Sequence, residues 1–163
     1  MTYDFSGPWV PQSGHQAQLF SPRHPHNDAA RLSGDSAVSY VLSKSVPSSK
    51  LLFGVPVYGR SFLGCHNAGQ PFCGGAGEEG TFEYKDLPRP GANEYTDENL
   101  GAAWCVGGDG GWVSYDNPTT VRMKAEYVRN NRLGGIFFWT GTADGTGARS
   151  LVEASFSRLH SQS

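Results

Sequence analysis

Three short apolar segments constrain the fold of this 163-residue chain more than any other feature. They read MTYDF at residues 1–5, LLFGVPVYG at 51–59 and GIFFW at 135–139. In each segment the apolar residues follow one another almost without interruption, instead of alternating with polar residues. This pattern is typical of parallel strands that are covered on both faces. We therefore expect three buried parallel strands.

Helical patterns with a period of 3.6 residues separate and follow these segments. The first lies within residues 34–47, with Asp35 near its cap and Pro47 as its stop; the last covers 149–160. The second has Asp116 or Asn117 as its cap and Pro118 at its first position. Strand and helix thus alternate, which predicts an α/β fold with right-handed crossovers. The residues expected on the inner faces of these helices are Val38, Val41, Leu42, Ser45, Val121, Ala125, Val128, Leu151, Val152, Phe156 and Leu159.

Residues 61–112 interrupt the alternation. Glycine-rich stretches, GGAGEEG and GGDGG, are mixed there with aromatic ones such as TFEYKDLP. We interpret this part as a small α+β insertion at the carboxyl end of the second strand, an edge where ligand sites are usually built. The chain is accordingly divided into residues 1–60, 61–112 and 113–163.

Composition and charge exclude several kinds of partner. The net charge is −2, and no two Lys or Arg residues are adjacent, so neither a nucleic acid nor an anionic membrane surface is an expected partner. No apolar run approaches the ~18 residues that a membrane span needs. His24 and His26 have no third ligand, and GGAGEEG lacks the Gly-Lys-Ser/Thr of a phosphate loop, so no metal and no cofactor is predicted.

The three cysteines leave two readings open. Cys65 and Cys73 bracket the short loop CHNAGQPFC and could form a disulfide in an oxidising compartment, which would leave Cys105 unpaired. The other reading is three free thiols.

Five residues lie at or just beyond the carboxyl ends of the predicted strands, namely Tyr3, Asp4, Tyr58, Arg60 and Trp139. An aromatic floor surrounded by a hydroxyl, a carboxylate and a guanidinium suits a sugar, since the flat ring stacks on the sugar and the polar groups bind its hydroxyls. Each residue alone could be structural, and Asp4 with Arg60 could be an ordinary ion pair. Their joint position favours a binding site.

These segments also carry a resemblance to a known family. MTYDFSGPW, LLFGVPVYGRSF, YDNPTTVRMKAEYVRNNRLGGIFFW and TGTAD resemble, in the same order, the C-terminal part of glycoside hydrolase family 18 chitinases. The resemblance implies a partial TIM (β/α)8 barrel, with strands six, seven and eight at Met1–Asp4, Leu51–Tyr58 and Gly135–Trp139. It also implies the α+β insertion of the fungal and bacterial members.

The resemblance implies a role for most of the candidate residues. Tyr3 would hydrogen-bond the N-acetyl group of the substrate, and Asp4 and Arg60 would contact the distorted sugar at the cleavage point. Trp139 would form the floor beneath that sugar, and Trp9 would stack on the sugar beyond the scissile bond. The family motif includes Tyr58 without a clear role. Asp144 matches a family Asp that we expect to be structural, and Thr140 replaces a Glu that many relatives carry.

The catalytic motif of this family is missing from the sequence. The family cleaves β-1,4-linked N-acetylglucosamine with retention and substrate assistance, using as general acid the Glu of an Asp-x-x-Asp-x-Asp-x-Glu motif. EYTDENLG at residues 94–101 comes nearest in composition, with the wrong spacing. We therefore expect the C-terminal portion of a secreted, extracellular chitinase that starts at an internal Met, carries no signal peptide and is inactive alone. The alternative is a non-catalytic remnant that binds chitin or chitooligosaccharides.

Overall fold

The structure, a computed structural model, describes residues 1–161. Its helices are α1 (Gly34–Ser43), α2 (Pro118–Asn130) and α3 (Leu151–His160). Its strands are β1 (Leu52–Pro56), β2 (Tyr58–Phe62), β3 (Thr81–Glu83), β4 (Ala92–Asp97), β5 (Ala102–Gly107), β6 (Trp112–Tyr115) and β7 (Gly135–Trp139). None of the helices within residues 1–161 combines the length and the apolar character that a membrane span requires.

Two of the three predicted parallel strands form a sheet. β1 and β7 pair in parallel, with Leu52 opposite Gly135 and Pro56 opposite Trp139. The main core lies between this pair, the helices and one face of a second sheet. Its fully buried members include Phe53, Val55, Val57, Val113, Val121 and Leu151. The α/β class and the partial barrel are therefore as predicted.

The predicted strand at residues 1–5 is wrong. This segment lies beside β1, where the Thr2 hydroxyl donates to the Gly54 carbonyl at 2.5 Å, but residues 1–5 form no strand. Asp4 then adopts a positive φ of 60°, which is incompatible with an extended strand. The chain turns at this point, and the amide of Phe5 donates to the carbonyl of Gln16.

The insertion is an antiparallel sheet with the strand order β3-β2-β6-β5-β4. It begins at Tyr58 and ends at Tyr115, slightly beyond the expected limits of 61–112. Its helical part is reduced, within the described chain, to the 3-10 turn Tyr84–Asp86. The apolar run at 51–59 thus contributes to both sheets, because Val57 separates β1 from β2. The amide of Val57 donates to the Trp139 carbonyl.

The helix caps follow local chemistry. Asn117 caps α2 in a capping box with Thr120, and Pro118 is the first helical residue. Of the two predicted caps, Asp116 and Asn117, the structure therefore has Asn117. In α1 the cap is Ser33, which pairs with Ser36, while Asp35 lies in the first turn. A β-region Ser at the N-cap satisfies the free amides better than a residue already inside the helix.

The apolar stripe predicted for α3 is partly wrong. The buried positions are Leu151, Ala154 and Ser155, whereas Val152 and Phe156 are 40% and 61% exposed. Residues 151, 154 and 155 share one helical face, and the next residue along is rotated by about 100° from it. Leu151 enters the core on this face, the small Ala154 and Ser155 let α3 lie close to α2, and Val152 and Phe156 remain outside.

All three cysteines are free thiols. Cys65 and Cys105 are buried, Cys73 is exposed, and the Sγ of Cys73 packs against Gly64. Burial raises the pKa of the Cys65 thiol and of the Cys105 thiol, so both remain protonated near neutral pH. The structure therefore agrees with the reading of three free thiols and not with a Cys65–Cys73 disulfide.

His15 makes the stability depend on pH. Its ring lies 5.3 Å from the ring of Trp104 and 5.2 Å from that of Trp112, and burial lowers the pKa of His15 to about 4. Asp97 opposes this shift and His26 adds to it. Between about pH 6.5 and pH 4 the unfolded chain therefore binds a proton that the folded chain does not, and stability falls as the pH falls.

We expect this loss to reach about 2–3 kcal/mol for the wild type relative to His15→Phe. Urea unfolding of both proteins at a series of pH values measures it, because the remaining titrating groups are common to the two and cancel in the difference. Parallel stability curves for the two proteins would show that His15 titrates normally.

Candidate functional site

Asp4 is the centre of a hydrogen-bonded cluster at the carboxyl end of β1. Its Oδ1 accepts a hydrogen bond from the Tyr58 hydroxyl at 2.8 Å and one from the Arg60 Nε at 2.9 Å. The Nη2 of Arg60 lies 2.9 Å from the same oxygen. The positive φ of Asp4 costs of order 1–3 kcal/mol, and such backbone strain is concentrated at functional sites. The two donors hold the strained residue in place.

Trp9 extends this cluster toward the solvent. The Arg60 guanidinium lies 4.9 Å from the centre of the Trp9 ring and 5.5 Å from that of Tyr58. The Arg60 side chain is only 14% exposed, whereas Trp9 is 56% exposed. The indole is thus oriented by a partly buried cation and still offers apolar surface to a ligand.

Tyr3 is packed between two other rings. Its ring meets those of Tyr58 and Phe137 edge to face, each at 6.3 Å between centres. Burial raises the pKa of the Tyr3 hydroxyl, and the charge of Asp4 adds to the effect. Burial and the hydrogen bond to Asp4 raise the pKa of Tyr58 as well. Both hydroxyls are therefore protonated at neutral pH; that of Tyr58 donates to Asp4, and that of Tyr3 has a proton to offer a ligand.

Gly54 makes this packing possible, and the sequence analysis missed it. A Cβ at this position would lie 2.8 Å from Cζ of Phe137 and 2.9 Å from Cε1 of Tyr3. An isolated glycine in a strand often marks such a close approach. The glycine in LLFGVP was therefore a usable signal for the position of Tyr3.

Trp139 lies at the same end of the parallel sheet as the cluster around Asp4, because β7 pairs in register with β1. It is the last residue of β7, opposite Pro56, and 60% of it is exposed. Alternate residues of a strand share a face, so Trp139 lies on the same side of the sheet as Phe137, which contacts Tyr3. Of the six predicted site residues, five are thus joined by direct contacts, and Trp139 shares their end of the sheet.

Asp144 has a structural role. Its Oδ1 accepts from the amide of Leu151 at 2.9 Å, and its Oδ2 accepts from the Ser150 hydroxyl at 2.8 Å. These bonds satisfy free groups at the start of α3 and place a negative charge at the positive end of the helix. Thr140, next to Trp139, has its hydroxyl 2.9 Å from that of Thr142.

The side chains of the cluster are of the kinds that can bind a sugar. Exposed indole rings supply flat apolar surface, and the guanidinium, the hydroxyls and the carboxylate supply hydrogen bonds to polar substituents. Within residues 1–161, no three His, Cys, Asp or Glu side chains are grouped so that they could hold a metal ion.

Comparisons with known proteins identify relatives along nearly the whole chain. The chain is similar to Endochitinase 1 of Metarhizium robertsii, with 37% identity over 98% of this chain and 38% of that protein. It is similar to Chitinase 1 of Aphanocladium album, with 34% identity over 99% of this chain and 39% of that protein. The chain thus spans less than two fifths of the length of these relatives.

Solved structures show the same likeness. A class V chitinase of Nicotiana tobaccum in complex with NAG4 matches with a TM-score of 0.84 and 28% identity, over 99% of this chain and 48% of that one. YKL-39 with GlcNAc4 matches with a TM-score of 0.88 and 25% identity, over 99% of this chain and 50% of that one. The family model of the glycosyl hydrolases family 18 matches residues 1–144. The chain therefore belongs to glycosyl hydrolase family 18.

Proposed function

We propose that this chain forms the C-terminal portion of a chitinase and binds β-1,4-linked N-acetylglucosamine polymers at the cluster around Asp4. The observation that carries the proposal is the contact between Asp4, Tyr58, Arg60 and Trp9 at one end of the parallel sheet. The chitinases among its relatives support the substrate class. For the whole protein we propose an extracellular location.

In the proposed reaction, the carbonyl oxygen of the substrate's acetamido group attacks the anomeric carbon while the glycosidic bond breaks. The leaving oxygen takes a proton from a general acid, and water later opens the cyclic intermediate with overall retention. The Tyr3 hydroxyl, kept protonated by its raised pKa, would donate to the acetamido group and hold it for attack. Asp4 and Arg60 would hold the distorted sugar, with Trp139 beneath it and Trp9 beyond the scissile bond.

The general acid is not among the residues of this cluster. Asp4 accepts from two donors and so serves as an anchor. Glu94, from the segment nearest to the family motif in composition, is bound to the Tyr115 hydroxyl and pairs in register with Cys105. Arg60 is opposite Ser114, which is opposite Trp104, the neighbour of Cys105 along β5. Because successive residues of a strand point to opposite faces, Glu94 lies on the face opposite to Arg60. A general acid contributes about 100- to 10,000-fold, and this chain alone should therefore bind without hydrolysing.

A second candidate function is oligosaccharide binding without catalysis. One structural neighbour is human YKL-39, a pseudo-chitinase with retained chitooligosaccharide binding properties. The sugar-binding cluster of the present chain fits that function equally well. The transcript upstream of the Met1 codon separates the two: a continuous frame encoding Asp-x-x-Asp-x-Asp-x-Glu supports the chitinase, and its absence supports the binding protein.

Binding itself is tested with chitohexaose and the purified chain. We expect Trp139→Ala to weaken binding about tenfold, because the ring gives up its stacking contact with the sugar. Phe156→Ala is the matched control, since Phe156 is equally exposed, at 61%, and lies on α3 away from the cluster. Equal affinities of the wild type and Trp139→Ala would contradict the proposed site, and release of shorter oligomers by the chain would contradict the missing acid.

A further inference from the structure

A second aromatic surface lies on the antiparallel sheet, outside the cluster around Asp4. The rings of Tyr95 and Trp104 are stacked, with centres 5.6 Å apart and planes inclined by 20°. They line an open groove together with His66, Asn67 and Val106. No carboxylate, Lys or Arg side chain belongs to this lining. We call these five residues the aromatic groove.

The groove offers hydrogen-bonding groups that the fold does not use. The backbone of Asn67 is fixed, since its carbonyl accepts from the Ser13 hydroxyl at 2.6 Å and its amide donates to Gln70 Oε1 at 3.1 Å. Within residues 1–161, no hydrogen bond engages the side-chain amide of Asn67 or the hydroxyl of Tyr95. Tyr95 is 47% exposed. Flat apolar rings beside a neutral amide and a hydroxyl are suited to a pyranose with an N-acetyl group.

The Trp104 ring is supported by neighbouring rings. The ring of His15 packs at 5.3 Å from that of Trp104, and the ring of Trp112 lies at 6.5 Å. Trp112 is fully buried with Phe62 in a small cluster of its own. The Trp104 ring is thus held in place before any ligand arrives, so little conformational entropy would be lost on binding.

Register relates the aromatic groove to the candidate site. Tyr95 is opposite Trp104, which is opposite Ser114, which is opposite Arg60, so all four side chains lie on one face of the sheet. Three strand spacings separate Tyr95 from Arg60, about 14 Å. The segment around Gln16, whose amide donates to the Ser114 hydroxyl at 3.1 Å, covers the space between. A polymer could contact both places, and a single sugar could not.

We propose that the aromatic groove is an auxiliary binding site for a chitin chain, with Tyr95 and Trp104 as its stacking surface and Asn67 as its hydrogen-bonding group. The proposal rests on the proposed function for the identity of the polymer. The neutral lining, the free amide and the shared sheet face favour this occupant over a charged or purely apolar one.

The test is an NMR titration of the whole chain with chitohexaose, which follows the side-chain amide signal of Asn67 and measures the affinity. We expect this signal to shift in the wild type and in Trp139→Ala, and to stay unmoved in Tyr95→Ala. We expect Tyr95→Ala to bind about tenfold more weakly than the wild type. Tyr40→Ala is the control, because Tyr40 is an exposed tyrosine on α1, 64% accessible.

The outcomes separate the two proposals. An unmoved Asn67 signal in the wild type, with binding that still depends on Trp139, would overturn the auxiliary site and leave the proposed function standing. A shift at Asn67 with no effect of Trp139→Ala would support the aromatic groove and overturn the candidate site. Equal affinities of Tyr95→Ala and Tyr40→Ala would overturn the auxiliary site.

Discussion

Replacing Lys124 with methionine is expected to lower the free energy of unfolding by about 3–5 kcal/mol. Lys124 and Asp116 are both almost fully buried, at 0% and 1% side-chain exposure. The Lys124 Nζ donates to the two oxygens of Asp116 at 2.7 and 2.6 Å, and to the carbonyl of Ala17 at 2.6 Å. Methionine fills the same space without a charge, so the Asp116 carboxylate would remain buried with no cation beside it.

Urea unfolding followed by tryptophan fluorescence measures this loss. Lys85→Met is the matched control, since Lys85 pairs with Glu83 where both side chains are about half exposed. Solvent screens that pair, so its removal should have a far smaller effect. If the two variants lost equal stability, removal of the Lys124 ammonium would not leave a costly uncompensated carboxylate at Asp116. Combining Lys124→Met with Asp116→Leu should recover part of the loss, because no charge then remains buried.

This ion pair also links the parts that carry the candidate site. Asp116 directly follows β6 of the antiparallel sheet, Lys124 is on α2, and Ala17 belongs to the segment that follows Trp9. The segment around Ala17, 107 residues from Lys124, therefore meets the end of β6 and α2 at one ammonium group. A variant without this ammonium group would lose stability, and the segment that carries Trp9 would no longer be held in position.

The sequence predicted the parts of the fold that depend on local chemistry. Pro118 marks the start of α2, with the cap narrowed to Asp116 or Asn117, and β7 ends at Trp139 as expected. The predictions that were wrong concern features set by tertiary contacts. Residues 1–5 have the composition of a strand, but the positive φ of Asp4 and its hydrogen bonds turn the chain away. Phe156 is apolar, yet α3 buries Leu151, Ala154 and Ser155 instead.

The buried Lys124 is a further feature that the sequence predicted only in part. Lys124 lies on the apolar face of α2 with Val121 and Val128, so its position was predictable from the helical period. Its burial was not, because a lysine in a helix is normally exposed, and only the folded chain brings Asp116 and the Ala17 carbonyl to it. The same holds for the candidate site. Motif resemblance named its residues, whereas the bond between Tyr58 and Asp4 required the structure.

Arg60→Met is expected to weaken the binding of chitohexaose by about 30- to 100-fold. The guanidinium is held by Asp4 on one side and lies over Trp9 on the other, so it fixes both side chains in the orientation that a sugar would meet. Methionine keeps the apolar stem and removes every donor. The sugar would lose a charged hydrogen bond, and Asp4 would lose the cation that orients it.

The chain contains a close control for this variant. Arg89 makes two hydrogen bonds of 2.7 Å to the carboxylate of Asp109, and its guanidinium lies 4.3 Å from the ring centre of Phe82. It therefore combines an ion pair with an aromatic contact as Arg60 does, and it lies outside the proposed site. Calorimetric titration of both variants should show unchanged affinity for Arg89→Met. Equal losses in the two would mean that the effect is one of general stability, and no loss in either would mean that Arg60 does not meet the sugar.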